Sequence, residues 1–505
     1  MPLFAAFALW FAAQARVPGD SILLRVLATN DVHGSLEAEV QPWSNHRPVG
    51  GVAAVAGMMH RLTDACHCVT IRLDAGDVMQ GSPVSNLSYG RASVAAFNAM
   101  GYAASAIGNH EFDWGLDTLQ ARIRQARFAW LSANIRDRAT DAVPPWIVPW
   151  RIVRAGPYRI ALVGYTTITT PSTTRPSIVA GLRFDSGPAR LDAAIAAARR
   201  ARPDFVIVLA HEGAFCDQGG TTNCRGEVVD LANALTERPD LIVSGHTHSL
   251  ILTRVNGIPI IQARSNATAL GIADFVDSAG TRVVRMRVET VWADREPVDS
   301  AVADTVAAYA RKVAPLTSRV IATLAAPLVR TGDQYPLGNL IADAYRAAAH
   351  TDVALVNNGG IRADLPAGPV TWGELFDVEP FQNFVVSGTV TGAQLRAVLE
   401  HAVGAADARA HVAGVRVVVD PSRPAGQRIV ALTLPDGRPV LDTAHYTLAV
   451  PDFVAAGGSG YAMLRDVAFR NTGTVDLDAV IAYLRGLPQP VRAPEELRVT
   501  GGGAP

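Results

Sequence analysis

An excess of charge of either sign is missing from this 505-residue chain: 45 lysines and arginines stand against 46 aspartates and glutamates, a formal net charge of −1. No basic block supplies locally what the total lacks, so a nucleic-acid polymer is not an expected partner. Long hydrophobic runs are missing too. The apolar stretch within MPLFAAFALWFAAQAR falls short of the roughly 20 residues that a spanning helix needs, so no stable membrane anchor is expected. Internal repeats and low-complexity tracts are absent, which excludes repeat and fibrous architectures. What remains is 49% hydrophobic and 18% charged. A chain of this length is too long for one ordinary core, so two domains are expected.

The opening residues join that short apolar stretch to Ala13-Gln14-Ala15, a small-x-small pattern suited to signal-peptidase cleavage, although the usual basic n-region is lacking. Residues 1–15 are expected to be a signal peptide, and no cysteine follows to accept lipid. A soluble periplasmic or secreted protein is the expectation. Cysteine, with four residues in all, agrees with export. Cys216 and Cys224 flank CDQGGTTNC, a loop that a disulfide would close without difficulty. In DACHCVTIRL, by contrast, a bridge between Cys66 and Cys68 is expected to be strained, leaving two thiols or another pairing as alternatives.

Short β-branched runs (LLRVLA, VTIRLD, RIALVGYTT, DFVIVLA, DLIVSG) alternate with Ala-rich helical patterns in the first half. This is an α/β pattern. Around REPVDSAVADTVAAYARKVAPL the texture changes to a single helix, capped near Asp299 or Ser300, which reads as a connector. Strands and helices then resume. The expected divisions are a first domain over 22–295, a connector helix over 296–322, a second domain over 323–496 and a disordered tail over 497–505.

Chemistry-bearing residues gather where the strand-like runs end. LATNDVHG offers Asp31 and His33, LDAGD offers Asp77, VLAHEG offers His211, and SGHTH offers His246 and His248. IGNHEFDWG adds Asn109, His110, Glu111 and Asp113. The carboxyl edge of an α/β sheet is where ligands bind, so residues far apart in sequence can converge there. Carboxylate, imidazole and amide oxygen without thiolate suit Zn, Mn, Co, Fe or Mg in a reactive site. Seven such donors exceed one ion's needs. Two ions sharing Asp77 would use them all and form a clamp for displacement at phosphorus.

In this order, D-x-H, G-D, G-N-H-E-x-D, an isolated His and G-H-x-H resemble the calcineurin-like metallophosphoesterase superfamily. The resemblance implies a four-layer αββα domain and two divalent ions. Asp31, His33, Asp77 and His248 would hold one; Asp77, Asn109, His211 and His246 would hold the other, with a water between them as nucleophile. It also implies that His110 faces the substrate and moves a proton, with Asp113 raising its pKa and orienting it. No role follows for Glu111.

In the second half, QYPLGNLIADA, VNNGGIRADLP, EPFQNFVV and DFVAAGGSGY resemble the smaller α+β carboxyl-terminal domain of exported 5'-nucleotidases, UDP-sugar hydrolases and cyclic-nucleotide phosphodiesterases. The expected partner is then a nucleotide or related small organic phosphate. By motif position Phe381 and Phe453 would stack on the base, Asn383 would touch its edge, and Arg362 would pair with phosphate. Asn339, Gly360 and, more weakly, Arg330 would line the same pocket. One departure stands out: Ser459 occupies a position where the family commonly has an Asp that binds ribose hydroxyls. A neutral hydroxyl replaces a charged acceptor, which opens the sugar position to deoxy, modified or cyclic nucleotides. Cyclic nucleotides, UDP-sugars or a sulfur-linked group on the same site are the enzymatic alternatives; a non-catalytic nucleotide-binding surface protein is the other.

Overall fold

The computed structural model describes residues 21–41, 43–278, 281–404 and 409–501. The expected signal peptide and the last four residues of the expected tail lie outside the described residues. Among the described residues no helix is long and apolar enough to cross a membrane.

Two six-stranded sheets build the first domain. One runs in the spatial order Thr281–Thr290, Ala269–Ser278, Ser21–Thr29, Val69–Asp74, Ala104–Ala106, Ala129–Leu131. The other runs Leu250–Val255, Ile258–Ala263, Leu241–Ser244, Phe205–His211, Tyr158–Thr166, Trp150–Ala155. Side chains alternate faces along a strand, and here both faces are apolar. Leu24, Val26 and Ala28 meet Ile207 and Leu209 of the opposite sheet in a shared core. Leu27 turns instead to the outer layer of helices Val52–Cys66 and Arg91–Met100, while Val206 and Val208 turn to Ala189–Arg199 and Glu227–Ala234. Four layers result, α on β on β on α, as the sequence leads one to expect.

Asp299 caps the connector helix Ser300–Thr317 by accepting from the Val302 N–H at 3.0 Å. The helix lies on the first domain through Val302 and Val306, and its exposed face carries Lys312. Beyond it, a five-stranded sheet runs Ala410–Ala413, Val353–Asn357, His445–Pro451, Phe384–Thr391, Arg470–Val475. Helices Pro336–Ala349 and Asp476–Gly486 cover one face and Gly392–Gly404 the other. The α+β expectation holds for its layout, but its end does not fall at 496. Val499–Gly501 pairs in parallel with Arg416–Val419, and the Arg498 guanidinium forks onto Asp343 with two contacts of 2.8 Å. That partner is remote in sequence, so a local pattern could not reveal it.

Both cysteine pairs are bridged. Cys216–Cys224 closes the hairpin Phe215–Asp217/Thr222–Arg225, as expected. The expectation for Cys66 and Cys68 is corrected: His67 ends its helix in a left-handed conformation (φ 51°), which folds the chain back and sets the two Cα atoms 5.1 Å apart, within disulfide reach.

Gly57 lets helix Val52–Cys66 touch the backbone at Pro297, just before the connector; a Cβ would overlap the Pro297 carbonyl. Gly57→Ala is expected to cost about 2 kcal/mol, read as a lower urea midpoint; an unchanged midpoint would show that the 297 segment yields freely.

Candidate metal centre and active site

Each candidate donor sits at the carboxyl end of a parallel strand or in the turn that leaves it. Asp31 and His33 follow Ser21–Thr29, Asp77 follows Val69–Asp74, Asn109 follows Ala104–Ala106, His211 ends its own strand, and His246 and His248 follow Leu241–Ser244. Asp31 (φ 48°), His33 (51°), Asp77 (56°), His246 (75°) and His248 (55°) all hold left-handed backbone. For an L-residue that conformation costs roughly 1 kcal/mol or more, so the surrounding bonds must maintain it. Gly108 makes the close packing possible, because a Cβ there would run into the Asp77 carboxylate.

The strands thereby bring together donors from both sheets. Asp31, His33 and His248 form one group and Asp77, His211 and His246 a second, the donor atoms of each within 4.8 Å of one another. Asp77 stands between them: its Oδ2 is 3.0 Å from His211 Nε2 and 3.7 Å from His33 Nε2. Asn109 Oδ1 lies 3.0 Å from His211 Nε2.

Second partners fix the rings. His33 Nδ1 donates to the Gln80 carbonyl and His211 Nδ1 to the Ala75 carbonyl, both at 2.8 Å. A carbonyl only accepts, so each Nδ1 carries a proton and Nε2 is the nitrogen turned inward toward the centre. His33 Nε2 and His248 Nε2 are 3.0 Å apart. At that distance one ring hydrogen-bonds to the other, and both nitrogens become available to a cation once that proton is displaced. Burial holds His33 well below the usual histidine range and His246 at about 3, which keeps both as neutral donors. Burial opposes charge at His211 as well, but Asp77 and Asp31 outweigh it and push the ring up to about 10. The pocket is thus built to hold cations, and its oxygen and imidazole donors fit divalent metal ions.

His110 stands beside this centre. Its Nδ1 lies 2.7 Å from Asp113 Oδ2, and Thr174 Oγ1 donates to the other oxygen, Asp113 Oδ1, at 2.8 Å. Burial lowers the His110 pKa, but the carboxylates of Asp113 and Asp77 more than offset it, so the ring stays protonated above the usual histidine value. On its open side His110 stacks on Phe381, centroids 5.5 Å apart and planes inclined by 28°. The second domain therefore reaches the metal centre. Asn86 Nδ2 donates to the Pro380 carbonyl at 2.9 Å and Arg175 Nη2 to the Gln382 carbonyl at 3.0 Å, holding the 380–382 turn in place.

Arg362 lies over the Phe381 ring at 5.8 Å, within electrostatic reach of Asp77, Asp31 and Asp113. Asn383 is pinned by Asp476, which accepts its backbone N–H at 2.9 Å and its side-chain Nδ2 at 3.2 Å. Phe453 is half-buried on the turn Asp452–Ala455, where Gly458 leaves room for its ring. Ser459 follows, accepting from Asn357 Nδ2 at 3.3 Å. Gly360 ends the turn Asn358–Gly360 beside Asn357.

Two further pocket candidates are held by partners within the second domain. Asn339 is buried with its Nδ2 donating to the Glu496 carbonyl at 2.9 Å, so it fastens the 494–498 segment. Arg330 binds Asp364 at 2.8 Å and the Ile361 carbonyl at 3.0 Å. Both commitments depend on tertiary partners that the motif does not display.

Glu111, to which the sequence assigned nothing, turns out to shape the centre. Its buried carboxylate accepts the N–H groups of Asp77 (2.9 Å), Val78 (2.8 Å) and Gly108 (2.8 Å), clamping the turn that carries the shared Asp77. Its place within G-N-H-E-x-D was the available signal. Glu111→Gln turns an amide donor against those N–H groups and is expected to lower metal affinity about tenfold, measured as metal retained on dialysis against chelator. Retention equal to the wild type would show that the turn holds without it.

Residues 24–250 match the family described as Calcineurin-like phosphoesterase, and residues 319–466 match the 5'-nucleotidase, C-terminal domain. Endonuclease YhcR of Bacillus subtilis is 28% identical over 97% of this chain, which spans 42% of that protein's length. Snake venom 5'-nucleotidase of Gloydius brevicauda is also 28% identical, covering 95% of this chain and 89% of its own length. The crystal structure of a 5'-nucleotidase precursor from Thermus thermophilus superposes with a TM-score of 0.84 at 29% identity, covering 95% of this chain and all of that one. Both domain matches, in this order and around this centre, make the chain a member of the calcineurin-like phosphoesterases that carry a 5'-nucleotidase C-terminal domain.

Proposed function

We propose that this protein hydrolyses nucleoside 5'-monophosphates, with Asp31, His33, Asp77 and His248 holding one divalent ion and Asp77, Asn109, His211 and His246 the other. Such ions supply Lewis acidity and acidify water; Zn, Mn, Co, Fe or Mg suits the donor set. The observation that carries the reading is the stack of His110 on Phe381 beneath Arg362, because it joins a proton donor, an aromatic platform and an anion-binding group in one place. Phe381 and Phe453 take the base, Asn383 its edge, and Arg362 the phosphate by charge-assisted hydrogen bonds. His110, kept protonated by Asp113, donates to the phosphoryl group or to the departing 5'-alkoxide. Gly360 lines the approach.

Ser459 favours a broad sugar preference. Its neutral hydroxyl, already accepting from Asn357, offers ribose one weak contact. Deoxynucleotides and cyclic nucleotides therefore belong in the substrate panel beside AMP and UDP-glucose. Export to the periplasm or medium is part of the same proposal, supported by the 1–15 pattern and by two disulfides among the described residues.

Turnover of this panel by the purified chain with added Mn or Zn tests the assignment, and no hydrolysis of any nucleotide would reject it. His110→Ala is expected to lower kcat on AMP by about 10² to 10³ while metal content is unchanged; loss of metal along with activity would instead make His110 a ligand. The alkaline limb of kcat should mark proton loss from His110. Asp113→Asn removes a stabilising negative charge and should move that limb to lower pH, whereas an unmoved limb would assign it to another group.

A further inference from the structure

The segment from Thr169 to Arg175 runs along the seam between the two domains. Most of its hydroxyls serve its own turn: Thr170 Oγ1 donates to the Thr167 carbonyl at 2.7 Å, Ser172 Oγ to the Thr169 carbonyl at 2.8 Å, and Thr173 Oγ1 to the same carbonyl at 3.1 Å. Thr174 breaks the pattern. It is 2% exposed, leaves the turn in extended backbone (φ −124°), and donates to Asp113 Oδ1. Because the other Asp113 oxygen takes His110 Nδ1, the carboxylate is held at both ends and the imidazole plane is set. His110 Nε2 is left as the ring nitrogen open to substrate.

The same segment touches everything else that matters here. Thr169 Oγ1 lies 3.3 Å from His246 Nε2, the turn Thr170–Thr173 packs on Gly458–Gly460 with Ser459, and Arg175 donates to the Gln382 carbonyl, next to the Phe381 that stacks on His110. We propose that Thr174 is the positioning residue for the His110–Asp113 acid and that Arg175 ties its alignment to the docking of the nucleotide-binding domain. The proposal rests on the acid role of His110 stated above. One event then brings in the substrate and aims the proton.

A hydroxyl that merely satisfies a buried carboxylate would affect folding alone, so the test compares leaving groups. Alkyl esters such as AMP and glycerol 2-phosphate need a proton on the departing oxygen; p-nitrophenolate leaves without one. Thr174→Val keeps the shape and removes the donor. It is expected to lower kcat on both alkyl esters roughly tenfold while p-nitrophenyl phosphate stays within about twofold, with Thr174→Ser restoring the loss. In the metal-free protein, the downfield proton of the His110–Asp113 hydrogen bond should shift in the Val variant and return in the Ser variant. Arg175→Ala should also depress the alkyl esters, and the double variant should fall short of the product of the singles. Equal losses on alkyl and aryl esters, or no loss on either, would overturn the proposal. Turnover of glycerol 2-phosphate without any nucleotide would sink only the substrate assignment and leave this comparison valid; a protein that hydrolyses no ester overturns both.

Discussion

Buried carboxylates and imidazoles are crowded together at the ends of five strands, and the whole first domain is arranged to keep them there. His33 and His248 face each other across 3.0 Å, with Asp31 and Asp77 buried beside them. Such a cluster is unstable by itself. Left-handed turns aim the donors, backbone carbonyls fix the ring protons, and Glu111 clamps the turn beneath Asp77. Two rigid sheets supply the frame against which those turns can be strained.

The second domain contributes what the metal frame lacks, a surface for the organic part of a substrate. It does so at the edge of the centre rather than at a distance, since the 380–382 turn is bonded to Asn86 and Arg175 of the first domain. Arginine is the cation on that face. Its planar fork suits phosphate, and its weak hydration lowers the cost of its position beside the Phe381 ring.

The donors were legible in the sequence because each cluster is local: a β-branched run followed at once by D-x-H, G-D or G-H-x-H carries both the strand and its cargo. The layering was legible for the same reason, in runs such as DFVIVLA that are apolar on both faces. What escaped is tertiary. The service of Glu111 to the backbone N–H groups of the Asp77 turn, the hold of Thr174 on Asp113, the commitment of Asn339 to Glu496 and the pairing of Arg498 with Asp343 all join distant segments. The Cys66–Cys68 bridge escaped for a different reason, since it needs His67 in a backbone conformation that side-chain identity does not announce.

The exposed Lys312 on the connector helix is the only lysine in the sequence. Acylating reagents that seek side-chain amines therefore have a single address, on the segment between the two domains. A fluorophore installed there would need no engineered attachment point to report on the junction of the two halves.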